Sequence, residues 1–115
     1  MKDEKNYLLH IRDAIERILL YTGDGREVFL GDIKTQDAVI RNLEIIGEAV
    51  KHLSDATTQR RLDIPWKEIA GMRDVLIHHY FGVKLDAVWE VVKQHLGPLA
   101  EAVEYLLTPS ASDNS

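Results

Sequence analysis

QDAVIRNLEIIGEAVKHLS, Gln36 to Ser54, decides the fold. Val39, Ile40, Leu43, Ile46, Val50 and Leu53 recur mainly at intervals of three and four. That spacing lines up one stripe of an α-helix and is out of step with the two-residue alternation of a strand. A helix is therefore predicted from Thr35 or Gln36 to Leu53, with Thr35 as its N-cap and Asp37 placed well in the first turn. Gly47 and Ala49 leave room for a neighbouring helix to approach closely. Ile45 beside Ile46 widens the stripe beyond one face. Two explanations stand: a broad core face, or a seam for a second copy of the chain.

The same period runs outward in both directions. Upstream, Tyr7, Leu8, Ile11, Ile15, Ile18 and Leu19 predict a helix from Asp3 to Tyr21, broken by Thr22-Gly23-Asp24-Gly25. A loop follows, from which Phe29 and Leu30 tuck back onto the bundle. Downstream, Ser54–Ile64 is polar and connecting, with a short helical turn in Asp55–Arg61. Pro65 suits a first helical position, and Trp66, Ile69, Met72 and Leu76 carry a third helix to Tyr80, ended by Gly82. Val88, Val92, Leu96, Leu99, Val103 and Leu106 predict a last helix from Leu85 to Leu107, which Gly97-Pro98 should kink or split. No strand pattern and no repeat is visible. The expectation is an all-α up-down bundle over residues 1–107, with a disordered tail, TPSASDNS, at 108–115.

Composition narrows the function classes. At 115 residues the chain makes one domain with one core. Without cysteine there is no disulfide scaffold, no thiolate zinc site and no cysteine nucleophile. No apolar run nears the roughly 20 residues that span a bilayer. MKDEKNYLLH, with its acidic residues, is no signal peptide, so a cytoplasmic protein is expected. The net charge of −5 argues mildly against nucleic acid as a partner, since phosphate binding rests on positive charge. An acidic chain can still act on RNA if cations ring its cleft, with weak affinity at physiological salt.

RDVLIHHY, Arg73 to Tyr80, is the densest run of chemical side chains. Arg73 and Tyr80 are seven apart, within about 20° of one helix face. Asp74 and His78 are i, i+4 neighbours that can pair, which would fix the His78 ring and raise its pKa. Arg73 and His78 are five apart, about 140° around an unbroken helix. They converge only if the last turn distorts or a second subunit completes the site. A histidine moves protons near neutral pH, and an arginine neutralises charge on a phosphate. Without a metal, the pair suits attack of an RNA 2′-hydroxyl on the adjacent phosphorus, giving a 2′,3′-cyclic phosphate and a 5′-hydroxyl. Other groups read as structure. His10, His52 and His95 stand alone on their helices, and Glu48-x-x-x-His52 lacks the inward carboxylates of a metal bundle. Gly23-Asp24-Gly25 is a turn. Trp66 and Trp89 belong to the core rather than to base stacking. Arg60-Arg61 with Lys67 forms a small basic patch, better read as solvated surface than as an RNA path.

Arg73-x4-His78-x-Tyr80 matches the R-x4–6-H-x-Y signature of the HEPN superfamily, and specifically its HepT toxins. Gln36–Ser54, the lead-in IPWKEIAGMRD (Ile64–Asp74) and the exit YFGV (Tyr80–Val83) also resemble that family. The resemblance covers about Asp3 to Leu107. It implies a four- to five-helix HEPN-like bundle, a homodimer with the two motifs facing across a cleft, and metal-independent endoribonuclease activity with no cofactor. The RNA would be messenger or transfer RNA. It also implies an MntA-type nucleotidyltransferase antitoxin that silences the toxin by moving AMP onto the motif tyrosine. Carried over, Arg73 and His78 are catalytic and Tyr80 is the modified residue. Asp74, where Asn is common, supports by orienting His78 or Arg73, and His79 falls on a variable position. The competing expectation is a non-catalytic helical subunit that serves a minimal nucleotidyltransferase as scaffold or substrate.

Overall fold

The computed structural model describes residues 2–78 and 84–108, with side chains from 4 to 76 and from 84 to 108. Helix α1 (Lys2–Tyr21) ends where the Gly-rich turn was expected. The predicted loop after it contains a helix, α2 (Arg26–Gly31). Gly25 opens α2 with φ 101°, a left-handed backbone that a side chain would strain. Phe29 does fold back: it is fully buried, its ring centroid 5.4 Å from that of Trp89. Bringing Phe29 into the core buries backbone as well, and a helical turn gives that backbone its hydrogen bonds.

Helix α3 (Ile33–Lys51) starts earlier than the stripe predicts. Its N-cap is Asp32, not Thr35. The Asp32 carboxylate accepts from the Lys34 backbone N–H at 3.3 Å and from the Thr35 hydroxyl at 2.6 Å. The charged side chain one turn upstream outcompetes the hydroxyl for the free N–H groups. The turn expected in 55–61 is α4 (Asp55–Thr58), capped by Ser54, plus a 3-10 turn at Gln59–Arg61. Helix α5 (Trp66–His78) begins just after Pro65, whose carbonyl accepts from Ile69 at 3.1 Å. The predicted last helix is split at His95 into α6 (Leu85–Gln94) and α7 (Leu96–Leu107). Pro98 has no N–H to offer the Gln94 carbonyl, so the chain restarts with Pro98 in the first turn of α7, where none is needed. The expected extension of α5 to Tyr80, the Gly82 break and residues 109–115 of the tail lie outside the described residues.

All regular structure among the described residues is helical, so the fold is all-α, as predicted. Helices α1 and α3 run antiparallel. Glu4 at the start of α1 accepts the Ser54 N–H at 2.7 Å just beyond α3, and Arg17 reaches Asn42 at 3.3 Å farther along. Helices α3 and α5 pack together, and α7 covers α1. Ile11, Ile15 and Ile18 meet Leu43 and Ile46 of α3 and Val103 of α7 in the common core. Ile46 is fully buried, whereas Ile45 is only partly buried at the core margin. Trp89 is core and Trp66 packs against it, as expected. Trp66 also donates from Nε1 to the Thr58 and Arg61 carbonyls at 3.1 and 2.9 Å.

Gly47 is the contact that sets α5 on α3. A Cβ there would lie 3.0 Å from the Ile69 carbonyl oxygen and 3.1 Å from the Arg73 backbone N and Cβ. Gly47→Val should therefore force the helices apart and cost about 2 kcal/mol. Gly47→Ala should cost less, because alanine's helix propensity returns about 1 kcal/mol. Thermal unfolding followed by circular dichroism measures both; an unchanged Tm for Gly47→Val would refute the close approach.

Candidate active site

The close approach at Gly47 brings the α5 backbone at Arg73 against α3, and the Arg73 side chain reaches along that helix. Its Nε lies 2.9 Å from Glu48 Oε1, and its Nη1 lies 3.4 Å from Asp74 Oδ1. The second Glu48 oxygen is 3.2 Å from His52 Nε2, one helical turn on. The His52 ring lies face to face with Tyr7 of α1, centroids 4.5 Å apart and planes 7° from parallel. Tyr7 in turn meets His10 edge-on at 6.2 Å. Three helices thus converge on a polar groove of about 330 Å³, walled by Tyr7, His10, Arg41, Glu44, His52 and Arg73.

Asp74 contacts two cations: Arg73, and Lys51 Nζ of α3 at 3.9 Å. The expected Asp74–His78 pair involves the His78 side chain, which lies outside the described residues. The backbone places His78 at the last position of α5. Helix α5 is uninterrupted from Trp66 to His78, so the described backbone shows no distortion between Arg73 and His78. His79 and Tyr80 lie outside the described residues.

Sequence reading left His10 and His52 as isolated residues. The structure corrects this: the antiparallel α1–α3 pair gathers them around Tyr7. The i, i+4 spacing of Glu48 and His52 was the available signal, but nothing local shows that Arg73 and Tyr7 arrive from other helices. Of the basic patch, Arg60 and Lys67 are exposed surface as expected, but Arg61 is not. Arg61 forks onto Asp63 (2.8 and 2.9 Å) and Glu101 (2.8 and 3.1 Å) and lies 5.3 Å from the Tyr105 ring centroid. Its hydrogen bonds to Asp63 and then to Glu101 push its pKa up, and the same contact holds the Asp63 carboxyl below the usual range. Arg61 is therefore a structural tie to α7, neither a solvated residue nor a cation awaiting RNA. Among the described residues no His, Asp and Glu group has the arrangement to hold a metal ion. A second cavity of about 250 Å³, lined by Ile69, Met72, Val91 and Leu99, is apolar and shares no residue with the Arg73 groove.

The family model described as ribonuclease HepT-like matches residues 11–106, a span that holds α3, α5 and Arg73 but not Tyr7 and His10 of the groove wall. The chain belongs to the HepT-like ribonuclease family. Within that family it is 46% identical over 109 residues to a probable ribonuclease HepT of Thermococcus cleftensis, covering 91% of this chain and 96% of that protein. It is 27% identical over 125 residues to an mRNA nuclease HepT of Shewanella oneidensis, covering 88% and 93%. It is also 50% identical over 103 residues to a Methanocaldococcus jannaschii protein whose name joins a gamma-glutamylcyclotransferase to a candidate RNase. That match takes in 89% of this chain but only 46% of the longer relative, so the chain spans about half its length. No solved structure matches the HepT-like chain significantly.

Proposed function

We propose that this HepT-like chain is an endoribonuclease toxin that cleaves messenger or transfer RNA without a metal. One observation carries the reading most: Arg73, the motif arginine, is presented on α5 at the edge of a polar groove in a chain of a ribonuclease family. In the proposed reaction His78 takes the proton of the RNA 2′-hydroxyl. The 2′-oxygen bonds to the adjacent phosphorus, the bond from phosphorus to the 5′-oxygen breaks, and the departing oxygen receives a proton. Arg73 faces the charge that grows on the phosphoryl oxygens. A 2′,3′-cyclic phosphate and a 5′-hydroxyl remain, and DNA resists for want of the nucleophile.

The uninterrupted helix between Arg73 and His78 supports a site completed by a second copy of the chain, as does Val75, an apolar α5 residue that is 57% exposed. Light scattering at micromolar concentration should give twice the 13.1 kDa chain mass. A monomer that cleaves RNA at full rate would refute the shared site. A two-fold arrangement also bears on the charge of −5, because it doubles Arg73 in one cleft.

The chain expressed alone should arrest growth of a bacterial host, and purified protein should cleave RNA equally with and without EDTA. Loss of activity on chelation, restored by a divalent ion, would contradict the mechanism. Growth arrest that vanishes in His78→Ala separates the toxin from a non-catalytic scaffold for a nucleotidyltransferase. No described helix is long and apolar enough to cross a membrane, and we place the reaction in the cytoplasm, where its RNA and its MntA-type antitoxin would be found.

A further inference from the structure

We propose that Glu48 is the positioning residue for Arg73, holding the guanidinium for catalysis at some expense of RNA affinity; this rests on the ribonuclease reading. An arginine side chain that is 36% exposed ordinarily samples many rotamers, and each must be given up when it meets a phosphate. Here Glu48 Oε1 lies 2.9 Å from Arg73 Nε, an ion pair that holds the guanidinium against α3. Glu48 is itself held. Its other oxygen meets His52 Nε2 at 3.2 Å, and the His52 ring is stacked on Tyr7 at 4.5 Å. The clamp therefore runs from α1 through α3 to α5, and its far end is the Tyr7–His52 stack. Asp74 adds a second contact at Nη1, 3.4 Å away. Orientation set before substrate arrives lowers the barrier to the chemical step.

The same carboxylate has a cost that gives the proposal its signature. A negative charge against Arg73 partly cancels the attraction between that cation and a phosphate. The neighbouring charges do not offset it: Lys51 is engaged by Asp74, and Arg41 by Glu44 at 3.5 Å. Removing the Glu48 charge while keeping its shape should therefore move binding and turnover in opposite directions. A merely structural carboxylate would weaken both or neither.

The test uses the full-length protein, a mixed-sequence 2′-O-methyl oligoribonucleotide for affinity and a cleavable RNA of the same sequence for turnover, at one low salt concentration. Glu48→Gln should bind the uncleavable RNA about threefold more tightly. Its kcat should fall about tenfold. Glu48→Asp, which keeps the charge on a shorter arm, should bind like wild type and lose kcat only in part. His52→Ala should lower kcat in the same direction as Glu48→Gln, because it releases one Glu48 oxygen. Glu48 is half-exposed, so the variants are expected to keep the wild-type Tm, checked by circular dichroism. An unchanged kcat in Glu48→Gln overturns the proposal, as does a kcat loss accompanied by weaker binding. Full cleavage by Arg73→Ala is a different failure: it removes the ribonuclease reading itself, and the positioning role with it.

Discussion

Arg73→Ala and His78→Ala should each lower RNA cleavage by about 100-fold or more, the usual scale for losing a charge-stabilising group or a general acid–base. The two losses should differ in character. In the proposed mechanism Arg73 acts on the phosphate, so its removal should weaken both turnover and affinity, with Arg73→Lys a poor replacement because a point charge cannot hold the planar geometry. Arg73→Ala also leaves Glu48 and Asp74 facing the site without their shared cation, which adds repulsion of phosphate to the lost attraction. In the proposed mechanism His78 moves protons, so His78→Ala should reduce kcat with little change in RNA binding. Cleavage of a labelled RNA under single-turnover conditions measures the rates, and a 2′-O-methyl oligonucleotide measures the affinity. Either variant retaining more than a tenth of wild-type kcat would remove that residue from the catalytic pair.

Tyr80→Phe should escape silencing by the partner nucleotidyltransferase while still cleaving RNA. In the proposed reaction the tyrosine oxygen attacks the α-phosphorus of ATP, an O–P bond forms, and pyrophosphate leaves with the electrons of the broken bond. The phenolic proton is lost. The attached phosphodiester carries a negative charge seven residues along the chain from Arg73. That charge can pair with the cation meant for the scissile phosphate, and the adenosine occupies space that an RNA nucleotide needs. Phenylalanine keeps the ring and removes only the acceptor oxygen. Co-expression with the nucleotidyltransferase, followed by intact-mass and peptide mass spectrometry, should show AMP on Tyr80 of the wild-type chain and none on the variant. AMP on another residue, or a Tyr80→Phe toxin still silenced enzymatically, would overturn the assignment.

Much of this protein is legible from periodicity. The stripes of α1, α3, α5 and α7 each name a buried face, and Ile11, Ile18, Leu43, Ile46 and Val103 are buried as those stripes require. Pro98 marks the split between α6 and α7 because a missing N–H is a covalent property that no tertiary context repairs. The Arg73–Tyr80 run and its flanks pointed to the family that the comparisons then showed. Local competition was harder to read. Asp32 and Thr35 are both good caps, and only the path of the chain out of α2 decides that Asp32 takes the position.

The surroundings of Arg73 were decided by the tertiary structure. Arg61 looked like surface until α7 brought Glu101 and Tyr105 to it. His10 and His52 looked solitary until the antiparallel packing of α1 on α3 put Tyr7 against both rings. A hydrophobic stripe states which face of a helix is buried, since that follows from the period of the backbone. It carries no record of which polar residues meet at the rim, because that depends on the crossing and offset of helices far apart in the chain. The sequence by itself thus determined an all-helical bundle and the motif on which the proposed chemistry rests; the approach of α5 at Gly47, and with it the Glu48–Arg73 contact, came only with the packing of α5 on α3.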